Sequence, residues 1–105
     1  MISEVKINRV YANMCPKRYF EQVLEKWEHI YECKDIGWID EECGFCNYTD
    51  EDTYNKNNDL CIGCPINNDT CHMLMQYYEY ENLDDWYNYI GEFIKLIKYW
   101  IRIKE

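Results

Sequence analysis

A mainly α-helical, small single domain, with two to three helices packed around a zinc-clamped loop lobe, is the fold this chain predicts. Three observations predict it. Apolar residues recur at helical spacing in two stretches: Tyr19, Phe20, Val23, Leu24, Trp27, Ile30 and Tyr31 in the first half, and Trp86, Ile90, Phe93, Ile97 and Trp100 or Ile101 near the end. Two Cys-x-x-Cys pairs, Cys43-Gly44-Phe45-Cys46 and Cys61-Ile62-Gly63-Cys64, lie between them, separated by 14 residues. At 105 residues the chain has room for one modest core, so residues 1–105 are expected to form one domain.

Taken in order, residues 2–11 place Val5 and Ile7 on one side of an alternating pattern, which suits a short N-terminal strand. Pro16 then stands where a first helical residue is tolerated, and the first apolar stripe predicts a helix over about 16–33. Cys15 and Cys33 flank that helix. Their separation, roughly 25 Å at 1.5 Å of rise per residue, forbids a disulfide between them, which needs Cα atoms within about 7 Å. They are read as small buried hydrophobes, with Cys33 the better placed of the two to act as a stray ligand. His29 beside the stripe is read as structural or exposed, because the sequence places no nucleophile beside it. Gly37 ends the helical signal, and Trp38 and Ile39 are expected to fold back on the helix before Asp40-Glu41-Glu42 leads into Cys43.

The chemistry of the cysteine region follows from its spacing. A Cys-x-x-Cys turn lets two thiolates reach one ion, and two turns supply the four tetrahedral sulfurs of a closed structural zinc site. Asn47 to Leu60 holds Tyr48, Tyr54 and Leu60 as its sizeable apolar residues. Each such side chain, once buried, returns about 1.5 to 3 kcal/mol, while ordering every backbone residue costs about 1 to 2 kcal/mol, so this loop needs a cross-link. Structural zinc supplies on the order of 10 to 16 kcal/mol of apparent binding energy. Disulfides are the competing reading and an iron-sulfur centre a third. Seven cysteines is an odd number for the former, and Glu4, Lys6 and Arg9 fall where the apolar stretch of a secretory signal would have to lie, which points to a reducing, cytoplasmic setting. The expected zinc ligands are Cys43, Cys46, Cys61 and Cys64. Asn47 can take the left-handed conformation such turns want after their second Cys, whereas Pro65 cannot, so Cys71, followed by His72, is the substitute ligand.

After Pro65, Asn67-Asn68-Asp69-Thr70 offers capping side chains ahead of Cys71, Met73, Leu74, Met75, Tyr77 and Tyr78, predicting a short helix over about 69–79. The last segment predicts a helix over about 83–103, with Asn82 as cap, Asp84 and Asp85 in the positive first turn and Lys98, Arg102 and Lys104 near the negative end. Tyr87, Tyr89, Ile94, Leu96, Tyr99 and Ile103 widen its apolar surface. The first helix and the cysteine lobe cover all of it, or one face is left for self-association or a partner, or the helix meets a membrane surface through its Lys and Arg side chains.

Charge narrows the functions. Residues 43–85 carry nine acids and one base, a balance of −8, against −3 for residues 1–42 and +2 for residues 86–105. Small zinc modules that grip nucleic acid carry a basic footprint, so direct nucleic-acid binding is not expected and a protein partner, itself basic, is. No run of about 18 uncharged apolar residues exists to span a membrane. The acidic loop lacks the central Gly and regular oxygen ligands of a calcium-binding EF-hand and reads as a solvated loop.

The residues Cys43-Gly-Phe-Cys46-Asn-Tyr48, Cys61-Ile-Gly-Cys64-Pro65-Ile66, Cys71 and a following helix with Trp86 resemble small cysteine-rich proteins encoded by phages and prophages. The likeness covers about residues 38–100 and implies a viral or mobile-element origin. Those proteins have no assigned activity, so it implies no mechanism. The expected function is that of a small acidic, zinc-stabilised protein-interaction module. Two alternatives stand: an acidic inhibitor that imitates nucleic acid and blocks a host nucleic-acid-binding protein, of the anti-CRISPR kind, and a thiol redox protein. Enzyme activity is not expected, because four thiolates leave no coordination position for water and the sequence supplies no nucleophile-base pair.

Overall fold

The longest helices sit where their apolar stripes put them, and they form the main interface of the molecule. A computed structural model describes residues 5–40, 43–45, 64–66 and 68–105. Among these, α1 spans Arg9–Met14, α2 Lys17–Cys33, α3 Asn68–Met75 and α4 Leu83–Ile103, with single 3₁₀ turns at Ile36–Asp40 and Tyr77–Glu79. The architecture is mainly helical.

Helix α2 buries Tyr19, Phe20, Val23, Trp27 and Ile30, and α4 buries Trp86, Ile90, Phe93, Ile97 and Trp100 against them. Aromatic rings make much of that seam: Trp27 meets Phe93 edge to face at 6.3 Å, and Phe20 stacks on Trp100 at 6.2 Å. The caps of α4 are those its sequence predicts, since Asn82 Oδ1 accepts the Asp84 N–H at 2.8 Å and Asp84 and Asp85 occupy the positive first turn. Cys15 is buried, as expected. Cys33 is a correction: the residue, at the last position of α2, is exposed, because the buried stripe of that helix runs through Tyr19, Phe20, Val23, Trp27 and Ile30 and does not include it.

Two local expectations also change. The predicted N-terminal strand is reduced, among the described residues, to one antiparallel bridge between Ile7 and Ile66; the chain then turns helical, because Asn8 Oδ1 accepts the Tyr11 N–H at 3.2 Å and caps α1. The helix expected to reach residue 79 stops at Met75. Its final carbonyls are claimed by side chains, with Tyr80 Oη donating to Met73 O at 3.1 Å and Trp86 Nε1 donating to Leu74 O at 3.0 Å, so the end is capped without further turns. Helix α2 ends at Cys33, where its stripe predicts, and its C-cap is Lys34. Lys34 is left-handed, at φ 53° and ψ 37°, and its Nζ lies 4.6 Å and 4.1 Å from the ring centroids of Tyr31 and Tyr87. Cation-π contact of this kind stabilises by about 0.5 to 1 kcal/mol at exposed sites, comparable with the cost of one left-handed residue that is not Gly.

Beyond Lys34 the chain folds back as expected. Ile39 is buried, and Trp38 stacks on His29 at 3.7 Å while the His29 ring nitrogen meets Asp35 at 3.1 Å. The buried Lys26 donates to the Ile39 carbonyl at 2.9 Å, tying α2 to this return. His29 therefore serves packing.

Candidate metal centre

The described part of the cysteine region is held to the body by the residues beside the cysteines. Next to Cys43, Gly44 lies so close to α2 that a Cβ there would stand 2.4 Å from the Tyr19 carbonyl oxygen and 2.8 Å from Gln22 Cβ. That approach drops Phe45 into the core, fully buried and edge to face with Phe20 at 4.9 Å. Residues 43–45, the described part of the first Cys-x-x-Cys, are thus pinned to the start of α2.

Residues 64–66, at the end of the second, are pinned elsewhere. Asn8 N–H donates to the Pro65 carbonyl at 2.6 Å, Ile66 is buried and bridged to Ile7, and the Lys6 N–H donates to Thr70 Oγ1 at 2.9 Å. An N-terminal arm of residues 5–8 therefore clips the stretch after Cys64 and the first turn of α3. Pro65, which cannot donate to a sulfur, contributes its carbonyl instead.

Cys43, Cys64 and Cys71 are each half-buried and packed against the one core. Cys46 and Cys61, like the loop with Asp50, Glu51, Asp52 and Asp59, lie outside the described residues. Among the described residues no three His, Cys, Asp or Glu side chains form a group that could hold a metal ion. Of the four expected ligands, the described residues therefore include Cys43 and Cys64. Both thiols are half-buried at the edge of the core. His72 is exposed, and its Nε2 faces Glu79 at 2.8 Å, so that nitrogen is engaged with a carboxylate.

Reading the sequence around the cysteines for ligands alone missed Gly44, Phe45, Ile66 and Thr70, which position them. An apolar residue inside or directly after a Cys-x-x-Cys was the available signal. It marks where the turn enters the core.

The phenols beside α3 record how closely this end is packed. Burial first, then the neighbouring Tyr89 and Asp85, push the Tyr80 hydroxyl from 10.0 up to about 12. Burial likewise raises Tyr89; the Thr70 side chain opposes that shift and Asp69 adds to it. Thr70 stands beside the Tyr89 hydroxyl, yet among the described residues no atom meets hydrogen-bond geometry with it. Because the folded protein holds the Tyr80 proton more tightly than the unfolded chain, stability is unaffected below pH 10 and falls as pH rises from 10 toward about 12. Tyr80 is half-exposed, so screening limits the loss to about 1 kcal/mol. Alkaline titration followed by phenolate absorbance is expected to show Tyr80 ionising late beside the raised Tyr89 and Tyr87, and Tyr80→Phe should remove its share of the late absorbance and lessen the loss of stability between pH 10 and 12. A titration in which every tyrosine ionises near 10 would contradict the packing of Tyr80 on α3.

No family model, curated protein or solved structure matches this chain.

Proposed function

We propose that this protein is a small acidic protein-interaction module whose cysteine lobe is closed by one structural zinc ion, and that it is of viral or mobile-element origin. The observation that carries the reading is the pairing of two Cys-x-x-Cys turns with a −8 balance over residues 43–85. The ligands are Cys43, Cys46, Cys61 and Cys64, with Cys71 as substitute. Anchorage of Gly44-Phe45 on α2 and of Pro65-Ile66 on the N-terminal arm supports it, because each turn then has a fixed end from which to present its thiolates. Zinc, when bound, supplies tetrahedral cross-linking and no open position for chemistry, so the module binds and does not catalyse.

The partner is a basic protein of the host cytoplasm, and charge decides between two ways of meeting it. An acidic inhibitor that imitates nucleic acid would occupy a basic groove. Its binding would fall steeply between about 50 and 200 mM salt and would compete with DNA or RNA. A module that binds through apolar surface would be nearly indifferent to salt. Affinity capture from host extract at both salt levels separates the two, with the natural protein set against the variant Asp50→Asn, Glu51→Gln, Asp52→Asn and Asp59→Asn. Partners held by the acidic lobe should be lost from the variant. If the variant retains every partner at both salt levels, the acidic lobe is not the binding surface.

A further inference from the structure

Two holds converge on one short stretch of chain. Zinc, when bound, holds it through Cys64, and the N-terminal arm holds the two residues that follow. We infer, given the zinc site proposed above, that the two holds are coupled: metal occupancy sets the docking of residues 5–8 and of the first turn of α1, and the arm in return raises the affinity for metal.

The arm engages the lobe through its backbone. Asn8 N–H donates to the carbonyl of the buried Pro65 at 2.6 Å, and Ile7 forms an antiparallel bridge with Ile66, which is 5% exposed. These contacts fall one and two residues after Cys64. A third, from the Lys6 N–H to Thr70 Oγ1 at 2.9 Å, falls on α3. The core holds α3 by other means, since Leu74 is buried and its carbonyl accepts from Trp86 Nε1. Arm docking therefore divides into a part that α3 supports and a part that depends on residues 65 and 66.

Asn8 carries the dependence onward. Its N–H faces Pro65, its side-chain oxygen accepts the Tyr11 N–H at 3.2 Å, and its carbonyl accepts the Ala12 N–H at 2.8 Å, so one residue joins the lobe to the first turn of α1. A helix of six residues is too short to stand alone. Its later part is held independently, by the buried Ala12 and Cys15 and by Lys104 Nζ at the Asn13 carbonyl; its start depends on Asn8.

Cooperativity follows because both holds order the same backbone. The conformational entropy of residues 64–66 is lost once, whichever hold closes first, and the second then closes on a stretch already fixed. Linkage makes the effect reciprocal: the factor by which metal favours arm docking is the factor by which the docked arm favours metal.

The test sets Asn8→Pro against Asn8→Ala in the full chain. At φ −83° this position accepts a proline ring, which removes the N–H that bonds the Pro65 carbonyl; both variants lose the side-chain cap, and Asn8→Ala keeps the N–H. Zinc affinity is read by competition with a chromophoric chelator. Asn8→Pro is expected to bind zinc about tenfold more weakly than Asn8→Ala, because a buried acceptor loses its donor. Residue-resolved amide exchange of the natural chain reads the converse and needs no variant. Chelation should speed exchange at Asn8 and Ala12 by about tenfold or more, and by a smaller factor at Trp27 and Phe93, within α2 and α4. Equal zinc affinities of the proline and alanine variants overturn the inference, as does a zinc-binding chain whose arm exchanges alike with and without metal; in either case the zinc site itself survives. A chain that retains no zinc overturns both together.

Discussion

Stripping the metal at neutral pH is expected to release about one zinc per chain and to loosen residues 43–71, the largest single effect this protein should show. Structural zinc contributes on the order of 10 to 16 kcal/mol of apparent binding energy, against a total stability of about 5 to 15 kcal/mol for a domain, so little of the lobe should stay ordered without it. Elemental analysis counts the metal, and amide exchange before and after chelation locates the loss. Residues 43–45 and 64–66 are the sensitive reporters, because each is tied to a different part of the body: Gly44 to α2, Pro65 to the N-terminal arm. Cys46→Ser should abolish zinc retention. Cys15→Ser sets the control, since Cys15 is 1% exposed and the hydroxyl placed there costs about 1 to 3 kcal/mol while zinc content should not change. A metal-free chain with three disulfides by mass spectrometry would refute the zinc centre, and visible absorbance from bound iron would replace it with an iron-sulfur one.

Gly44→Ala is expected to destabilise by about 2 to 4 kcal/mol although it adds one methyl group. A Cβ at this position would lie 2.4 Å from a backbone oxygen and 3.0 Å from Val23 Cγ2, and backbone cannot turn aside as a side chain can. Segment 43–45 would have to lift off α2. That movement would draw Phe45 from its place against Phe20, opening the seam beneath Trp100. Urea denaturation measures the change directly, and a melting temperature lowered by roughly 8 to 20 °C should accompany it. Gly37→Ala is the matched comparison, because the added Cβ would meet the Asp35 carboxylate at 3.1 Å on an exposed turn that can yield. Should Gly44→Ala unfold within about 0.5 kcal/mol of the natural protein, the docking of the first cysteine turn on α2 is wrong.

Much of this architecture is legible in the sequence, for identifiable reasons. Periodicity set out α2 and α4 because each buries a continuous stripe, and a stripe is a property of one segment that no neighbour needs to supply. The cap of α4 is legible for the same reason: Asn82, Asp84 and Asp85 act on backbone groups within one turn. The cysteine spacing likewise carries its chemistry locally, in which residues can reach one ion, though not which of the candidates do.

Tertiary contact decided the rest. Val5 and Ile7 alternate like a strand, but a strand needs a partner along its length; Ile66 supplies one bridge, and Asn8 then caps a helix. The end of α3 depends on Tyr80 and Trp86, whose side chains reach its last carbonyls from several residues downstream. Cys15 and Cys33 flank the same helix and read alike in sequence, and only packing makes the first buried and the second exposed. Gly44 shows the division most sharply. A glycine between two cysteines reads as a flexible turn, and only the approach of α2 to within a methyl group of its backbone makes it a requirement of packing, because that constraint belongs to the space between two segments and is written in neither.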